Sequence, residues 1–234
     1  DASVPDKRRI AFEEAKHPVV GFIEDTCSLP PDWCASMHAP FSEEKVALVC
    51  GPIVISPRLP SRHRALGITE YARFQPDVMM KGESDRGEAR SLIGANFAVR
   101  KSAFSGNRAD DFIDGTLFAR LTAAGEGVVV RSGGVFYDGL DLKGAQITAR
   151  YHHGRIYGGS RAAGRGGLAR VALTAKGLAA PIIQFARACW DAPAWLWTSP
   201  TTVLWVIAMT AAWGAGEIVG AVTGSAGASL RRWS

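Results

Sequence analysis

The feature that most constrains this chain lies near its C-terminal end. From Ala192 to Gly216, "APAWLWTSPTTVLWVIAMTAAWGAG", there is no charged residue. That exceeds the ~18 apolar residues at which a segment becomes a candidate to span a bilayer. Trp195, Trp197, Trp205 and Trp213 are of the kind that anchors at a membrane interface, and Glu217 and Arg231-Arg232 close the segment. Pro193 and Pro200 argue against one straight span. A buried core helix is the alternative, but tryptophans and flanking arginines have no evident purpose there. The preceding "LAAPIIQFARACW" (Leu178 to Trp190) reads as the other arm of a hairpin, or as an amphipathic helix lying in the membrane plane. Positive charge on both flanks fits a hairpin with both ends cytoplasmic.

Upstream, composition changes near residue 150. "RYHHGRIYGGSRAAGRGGLARVALTAKG" is basic and glycine-rich, and Arg150, Arg155, Arg161, Arg165, Arg170 and Lys176 have no acidic neighbours in sequence. It reads as a glycine-rich turn facing an anionic leaflet. His152 and His153 read as phosphate-facing or solvated, since no third metal ligand is evident. Aromatic residues are not interleaved as in a nucleic-acid module, so no nucleic-acid partner is expected. The whole chain has a net charge of +5, which could favour anionic phosphates or simply reflect ordinary surface lysine and arginine.

Residues 1–150 alternate strand and helix patterns, the signature of an α/β layered sheet. "DASVPDKRRIAFEEAKH" is a loop and helix with Pro5 in the first turn and Ile10, Ala11, Phe12 and Ala15 as its apolar positions. "PVVGFIED" is a buried strand that stops on Glu24 and Asp25, and Asp32 is placed to cap a helix after two prolines. "KVALVCGPIVIS" is a second buried strand, interrupted at Gly51-Pro52. Residues 57–90, polar and rich in arginine, read as a mobile surface loop. "SLIGANFAVRKSAF" returns to strand, "DDFIDGTLFARLTAAGEG" is a helix ended by Gly125, and "VVVRSGGVFYD" is a strand pair or bent strand. Cys27, Cys34, Cys50 and Cys189 form no C-x-x-C pair and read as reduced thiols on the cytosolic side of a membrane.

Taken singly, the polar residues allow bland and chemical readings side by side. Glu24 and Asp25 at a strand end are solvated acids, or ligands for a cation that neutralises a diphosphate. Asp110, Asp111 and Asp114 complement a helix dipole, or supply a general base. Gly94-Ala95-Asn96 is an ordinary turn, or a close backbone approach to a ligand.

The ordered series "VVGFIEDTCSLPPDW", "VALVCGPIV", "LIGANFAVRKSAF", "DDFIDGTLFARLTAAGEGVVV", "GGVFYD" resembles the later part of the catalytic domain of glycosyltransferase family 2, over roughly residues 5 to 160. The resemblance implies a partial GT-A, Rossmann-like sheet over 1–150, a basic amphipathic juxtamembrane segment over 151–190, and a hydrophobic transmembrane or re-entrant helix and tail over 191–234. It implies a nucleotide-diphosphate sugar as donor and a hydroxyl acceptor, with lipid-linked acceptors among the candidates. It also implies Mg²⁺ or Mn²⁺ as cofactor and the cytoplasmic face of an inner membrane as location. By that resemblance, Glu24-Asp25-Thr26 matches the D-x-D-like metal and donor motif. Asp114 matches the catalytic base. Gly94, Ala95, Asn96 and Arg100 match the loop bordering acceptor and donor, and Arg8 or Arg9 the arginine near the nucleotide. Thr26 stands where a third carboxylate is usual, and Asp138, where many relatives carry histidine, compensates for it as a second metal ligand beside Asp25. By the same resemblance the first strand and first nucleotide-binding loop of such a domain would precede Asp1, and the chain is expected to be the later part of a longer one. The rival expectation is a membrane-anchored scaffold or inactive remnant of the same fold.

Overall fold

The apolar run "VALVC" becomes a strand in which all five residues, Val46–Cys50, are buried. A run without polar alternation is suited to burial on both faces, and the rest of the α/β part is arranged around it. The structure, a computed structural model, describes residues 4–79, 94–103, 112, 114–130, 134–139, 145–192, 199–227 and 229. In chain order its elements are α1 (Val4–Glu14), β1 (Val19–Ile23), β2 (Cys27–Ser28), α2 (Trp33–His38), β3 (Val46–Cys50), β4 (Ile53–Ile55), α3 (Ser61–Tyr71) and α4 (Pro76–Met79). There follow β5 (Asn96–Arg100), α5 (Asp114–Ala123), β6 (Gly127–Val130), β7 (Val135–Tyr137), α6 (Gln146–Ala162), α7 (Gly167–Asp191) and α8 (Pro200–Thr223). The chain forms two compact units. One holds Ala2–Ser56 and Phe74–Asp138, the other Pro57–Arg73 and Gly139–Ser234.

The first unit is mixed α/β. Its four-stranded sheet has the order β1-β5-β3-β6, with β5 antiparallel to both β1 and β3, and β6 parallel to β3. A three-stranded sheet has the order β2-β7-β4, with β2 antiparallel and β4 parallel to β7. Gly51-Pro52 does more than interrupt a strand: it passes the chain from the first sheet to the second. Phe12, Phe22, Leu48, Phe97, Phe112 and Leu121 belong to one buried cluster, in which the Phe22 and Phe97 rings stack at 4.8 Å. In α1 Phe12 is buried while Ile10 is exposed, so the first helix anchors through one aromatic side chain. Asp32 occupies the N-cap of α2 but its side chain makes no capping bond.

The second unit is helical. Of the stretch 57–90 expected as a mobile loop, residues 61–71 are helix in this unit and 76–79 are helix in the first, while 80–90 lie outside the described residues. Polarity misleads here because Arg64 serves a partner far along the chain: its Nε and Nη2 donate to Thr202 Oγ1 at 3.0 and 2.7 Å, while Ala65, Leu66 and Ile68 are buried. Gly154, Gly158 and Gly159 of the glycine-rich stretch lie inside α6, and the expected turn is confined to residues 163–166, where Gly164 has φ 68. Along α6, α8 comes too close for side chains. A β-carbon on Gly154 would fall on the Trp213 carbonyl, and one on Gly158 on the Glu217 carbonyl. From the other side, Gly216 and Gly220 face the Tyr151 and Arg155 carbonyls. Each helix thus presents glycines four apart, the spacing that lets two backbones pack directly. Pro200 opens α8, in the first-turn position where its missing N–H costs nothing, so no single helix runs from Ala192 to Gly216. Ser199 caps it by accepting from the Thr202 N–H, and Gly224 (φ 65) ends it.

α7 and α8 are long and apolar enough to cross a membrane, with mean hydropathy 1.2 and 1.5. α7 runs antiparallel to α8, with Gly177 against Ile218 and Gly214 against Pro181.

The α6–α8 seam generates the first expectation. Gly158→Leu should destabilise the helical unit by about 1–3 kcal/mol or more, the range for overpacking. Gly166→Ala, where an added β-carbon meets nothing within 4 Å, should leave it unchanged. Thermal unfolding followed by circular dichroism distinguishes the two.

Candidate functional site

β1 ends at Ile23, opposite Asn96 in the register with β5, and this junction organises one rim of the α/β unit. The Asn96 side chain is fully buried. Its Oδ1 accepts from Trp33 Nε1 at 2.9 Å and its Nδ2 donates to the Pro52 carbonyl at 3.1 Å. One amide therefore ties β5 to α2 and to the crossing between the sheets. Beyond the junction the Glu24 N–H donates to the Ala95 carbonyl at 3.3 Å, and the Cys27 N–H to the Glu24 carbonyl at 3.0 Å, closing a tight turn. Its residues are those expected to contact donor and metal.

The acids gather around that turn. Thr26 Oγ1 donates to Glu24 Oε2 at 3.4 Å. The Asp138 N–H donates to the Thr26 carbonyl at 3.0 Å, and Ser28 Oγ donates to Asp138 Oδ1 at 3.2 Å. Cys27 lies among them. Burial pushes its thiol up to about 12; the Thr26 hydroxyl partly offsets this, and the charges of Glu24, Asp138 and Asp25 add to it. Three carboxylates from two strand ends thus act on one sulfur. Sequence reading finds the acids but not the cysteine between them, which reads there as a small hydrophobe. Asp25 and Asp138 are exposed, and neither forms an ion pair among the described residues. No three His, Cys, Asp or Glu side chains among the described residues are grouped to cage a metal ion.

The two arginines of α1 part company. Arg8 donates to the Phe112 carbonyl at 3.2 Å and the Gly94 carbonyl at 3.1 Å, joining the Gly94–Asn96 turn to the segment leading into α5. Arg9 pairs with Glu13 on its own helix at 2.7 Å. Arg100 donates to the carbonyls of Val46, Phe41 and Glu43 at 3.0, 2.6 and 3.1 Å, stitching β5 to β3 and the turn before it. Asp114 is the first residue of α5; its side chain, like all of Asp110 and Asp111, lies outside the described residues.

The helical unit holds a charge cluster that sequence spacing could not reveal. Arg150, 3% exposed, donates through Nη1 to Glu70 Oε1 at 2.9 Å, and its guanidinium lies over the Trp213 ring at 4.4 Å. His153 Nδ1 is 3.3 Å from the same Glu70 oxygen. His152 Nδ1 is 2.9 Å from Ser229 Oγ. These histidines are turned into the helical unit rather than towards phosphate or solvent. Trp213, partly buried, is the cation–π partner of Arg150. Burial would raise the Glu70 carboxyl, but the His153 hydrogen bond and the Arg150 charge prevail and bring it to about 2. Burial lowers His153 despite Glu70. Glu217 does not close the apolar segment from outside. It is buried within α8, 3.6 Å from Arg161, and accepts from Trp213 Nε1 at 3.2 Å.

Two expectations follow. Asn96→Ala removes the acceptor of a buried indole N–H and should cost about 1–3 kcal/mol in urea unfolding. For the helical cluster, both folded pKa values lie below the unfolded ones. The His153 contribution is present above its ordinary 6.5 and lost as pH falls below it. That of Glu70 is present above 4.5 and lost as pH falls towards about 2. Melting temperature should therefore fall in acid in two stages, and Glu70→Gln should abolish the lower one.

No family model matches the chain, and no curated protein matches it.

Proposed function

We propose that the chain is a membrane-associated inverting glycosyltransferase with a GT-A-type catalytic part. It would move a sugar from a nucleotide-diphosphate donor to a hydroxyl acceptor in cell-envelope polysaccharide or glycolipid synthesis, at the cytoplasmic face of the inner membrane. The observation that carries this reading is the meeting of the Glu24–Thr26 turn with Asp138: the Thr26 hydroxyl donates to Glu24 and the Thr26 carbonyl accepts from the Asp138 N–H. At the neighbouring junction, Arg8 bonds both the Gly94 turn and the segment leading into α5.

The donor set suits a divalent cation of the Mg²⁺ type, which is usually held by one or two carboxylates together with substrate phosphates rather than by a complete protein cage. Asp25 and Asp138 are the residues that would hold it, with Glu24 adding negative charge behind them. When bound, such a cation supplies Lewis-acid stabilisation of the departing diphosphate. Asp114 is the first residue of α5, a position where acidic residues are common. It takes the proton from the acceptor hydroxyl as the oxygen attacks the anomeric carbon. The bond from that carbon to the diphosphate oxygen breaks on the opposite side, which inverts the configuration. Arg8 and Asn96 act as positioning residues, because their polar atoms are spent on backbone and indole partners.

The non-catalytic scaffold is favoured by one feature, Thr26 in place of a third carboxylate. Calorimetric titration of the chain with nucleoside diphosphates, with and without Mn²⁺, separates the two. The enzyme requires Mn²⁺-dependent binding that weakens at least about tenfold in Asp25→Asn and in Asp138→Asn. Asp114→Asn should keep that binding and lose about 10²–10⁴ in transfer rate. No binding by the wild-type chain with any of the nucleotides favours the scaffold.

A further inference from the structure

α7 divides its apolar residues between two surfaces. Leu173, Gly177, Ala180 and Ala188 are buried. Leu168, Val171, Leu178, Ile182 and Trp190 are exposed, Leu168 by 90% and Trp190 by 83%. Only 11% of the most apolar window of α7 is buried, against 39% for α8. Val222 of α8 is exposed beside this surface. Between the two helices runs an open groove of about 450 Å³, lined by Arg170, Val171, Thr174, Ala175, Leu178 and Val222.

The groove is apolar along its length and cationic at one end. Arg170 donates through Nε to the Arg165 carbonyl at 3.1 Å. Its guanidinium rests against Gly224, where a β-carbon would lie 2.6 Å from Nη2. It makes no hydrogen bond to the terminal carbonyls of α8, and Nη1 and Nη2 have no partner among the described residues. No acid lines the groove. Glu217, the acid within α8, is buried and paired with Arg161. The distance from Val171 to Leu178 along the helix is about 10 Å, enough to seat the first part of an acyl chain.

We propose that this groove binds one phospholipid with an anionic headgroup. Its phosphate is held by the two open Nη donors of Arg170, and its chain lies along Val171, Leu178 and Val222. Charge complementarity and the apolar exposed face of α7 select this occupant over a soluble phosphate, which would gain nothing from the groove walls, and over a neutral lipid, which would leave the guanidinium unpaired. The site rests on the membrane association proposed above and is independent of glycosyl transfer.

The test is native mass spectrometry of the full chain after exchange with vesicles of phosphatidylcholine alone or mixed with phosphatidylglycerol. One retained phosphatidylglycerol is expected. Arg170→Gln should reduce its retention about fivefold, the effect of one interfacial cation, and Val222→Trp should displace it with Arg170 intact. Lys176→Gln, which removes an exposed cation of the same helix outside the groove lining, should leave it unchanged. Equal loss in Arg170→Gln and Lys176→Gln, no preference over phosphatidylcholine, or displacement by glycerol phosphate would overturn the site while leaving membrane association intact. Failure of the wild-type chain to associate with either vesicle would overturn both.

Discussion

The buried amide of Asn96 is the constraint on which the α/β unit depends. A buried amide must find partners for its polar atoms or lose stability. Here Oδ1 is matched by an indole N–H from α2 and Nδ2 by a carbonyl at the crossing between the sheets. That pairing fixes where β5 begins, and hence where β1 ends opposite it. The turn carrying Glu24 and Asp25 can then form only at that rim. Asp138 follows because β7 pairs with β2, the strand immediately after the turn. Asp138 is a neighbour of Glu24 and Asp25 because the chain passes from the first sheet to the second at their turn and β7 then pairs with β2, not because they are near in sequence.

The helical unit solves a different problem. α6 carries arginines and histidines that could not face an apolar neighbour unpaired. Glycines at 154, 158, 216 and 220 bring its backbone against that of α8, and the larger polar side chains are accommodated around this seam. Arg150 meets Glu70 and the face of Trp213, and Arg161 meets Glu217. Removing one member of such a cluster is costly because the remaining charge stays buried. The apolar surface that α8 does not cover on α7 is left to the surroundings, which is why α7 and not α8 presents the larger exposed apolar face.

Much of the α/β unit is legible in sequence because its signals are local. "VALVC" has no reading other than a buried strand, and Gly125 (φ 75) ends α5 as expected. Sequence reading fails where a residue's partner lies far along the chain. Arg64 has the character of a surface residue but bonds Thr202. Glycines at helical spacing suggest a turn because local propensity penalises them in a helix. Composition places Glu217 and Trp213 at a membrane boundary, although each has an internal partner. In the candidate site the acids are readable as strand-end carboxylates. Cys27 between them, and the backbone bonds that occupy Arg8 and Arg100, depend on tertiary geometry that no spacing encodes.

The central claim is that Asp25 and Asp138 grip a divalent cation carrying a diphosphate. The most direct measurement is anomalous scattering at the manganese edge from crystals of the chain grown with Mn²⁺ and a nucleoside diphosphate. A single manganese peak between the Asp25 and Asp138 carboxylates, with phosphate oxygens completing its coordination, is the expected result. Manganese elsewhere, or a diphosphate bound away from both carboxylates, would contradict it.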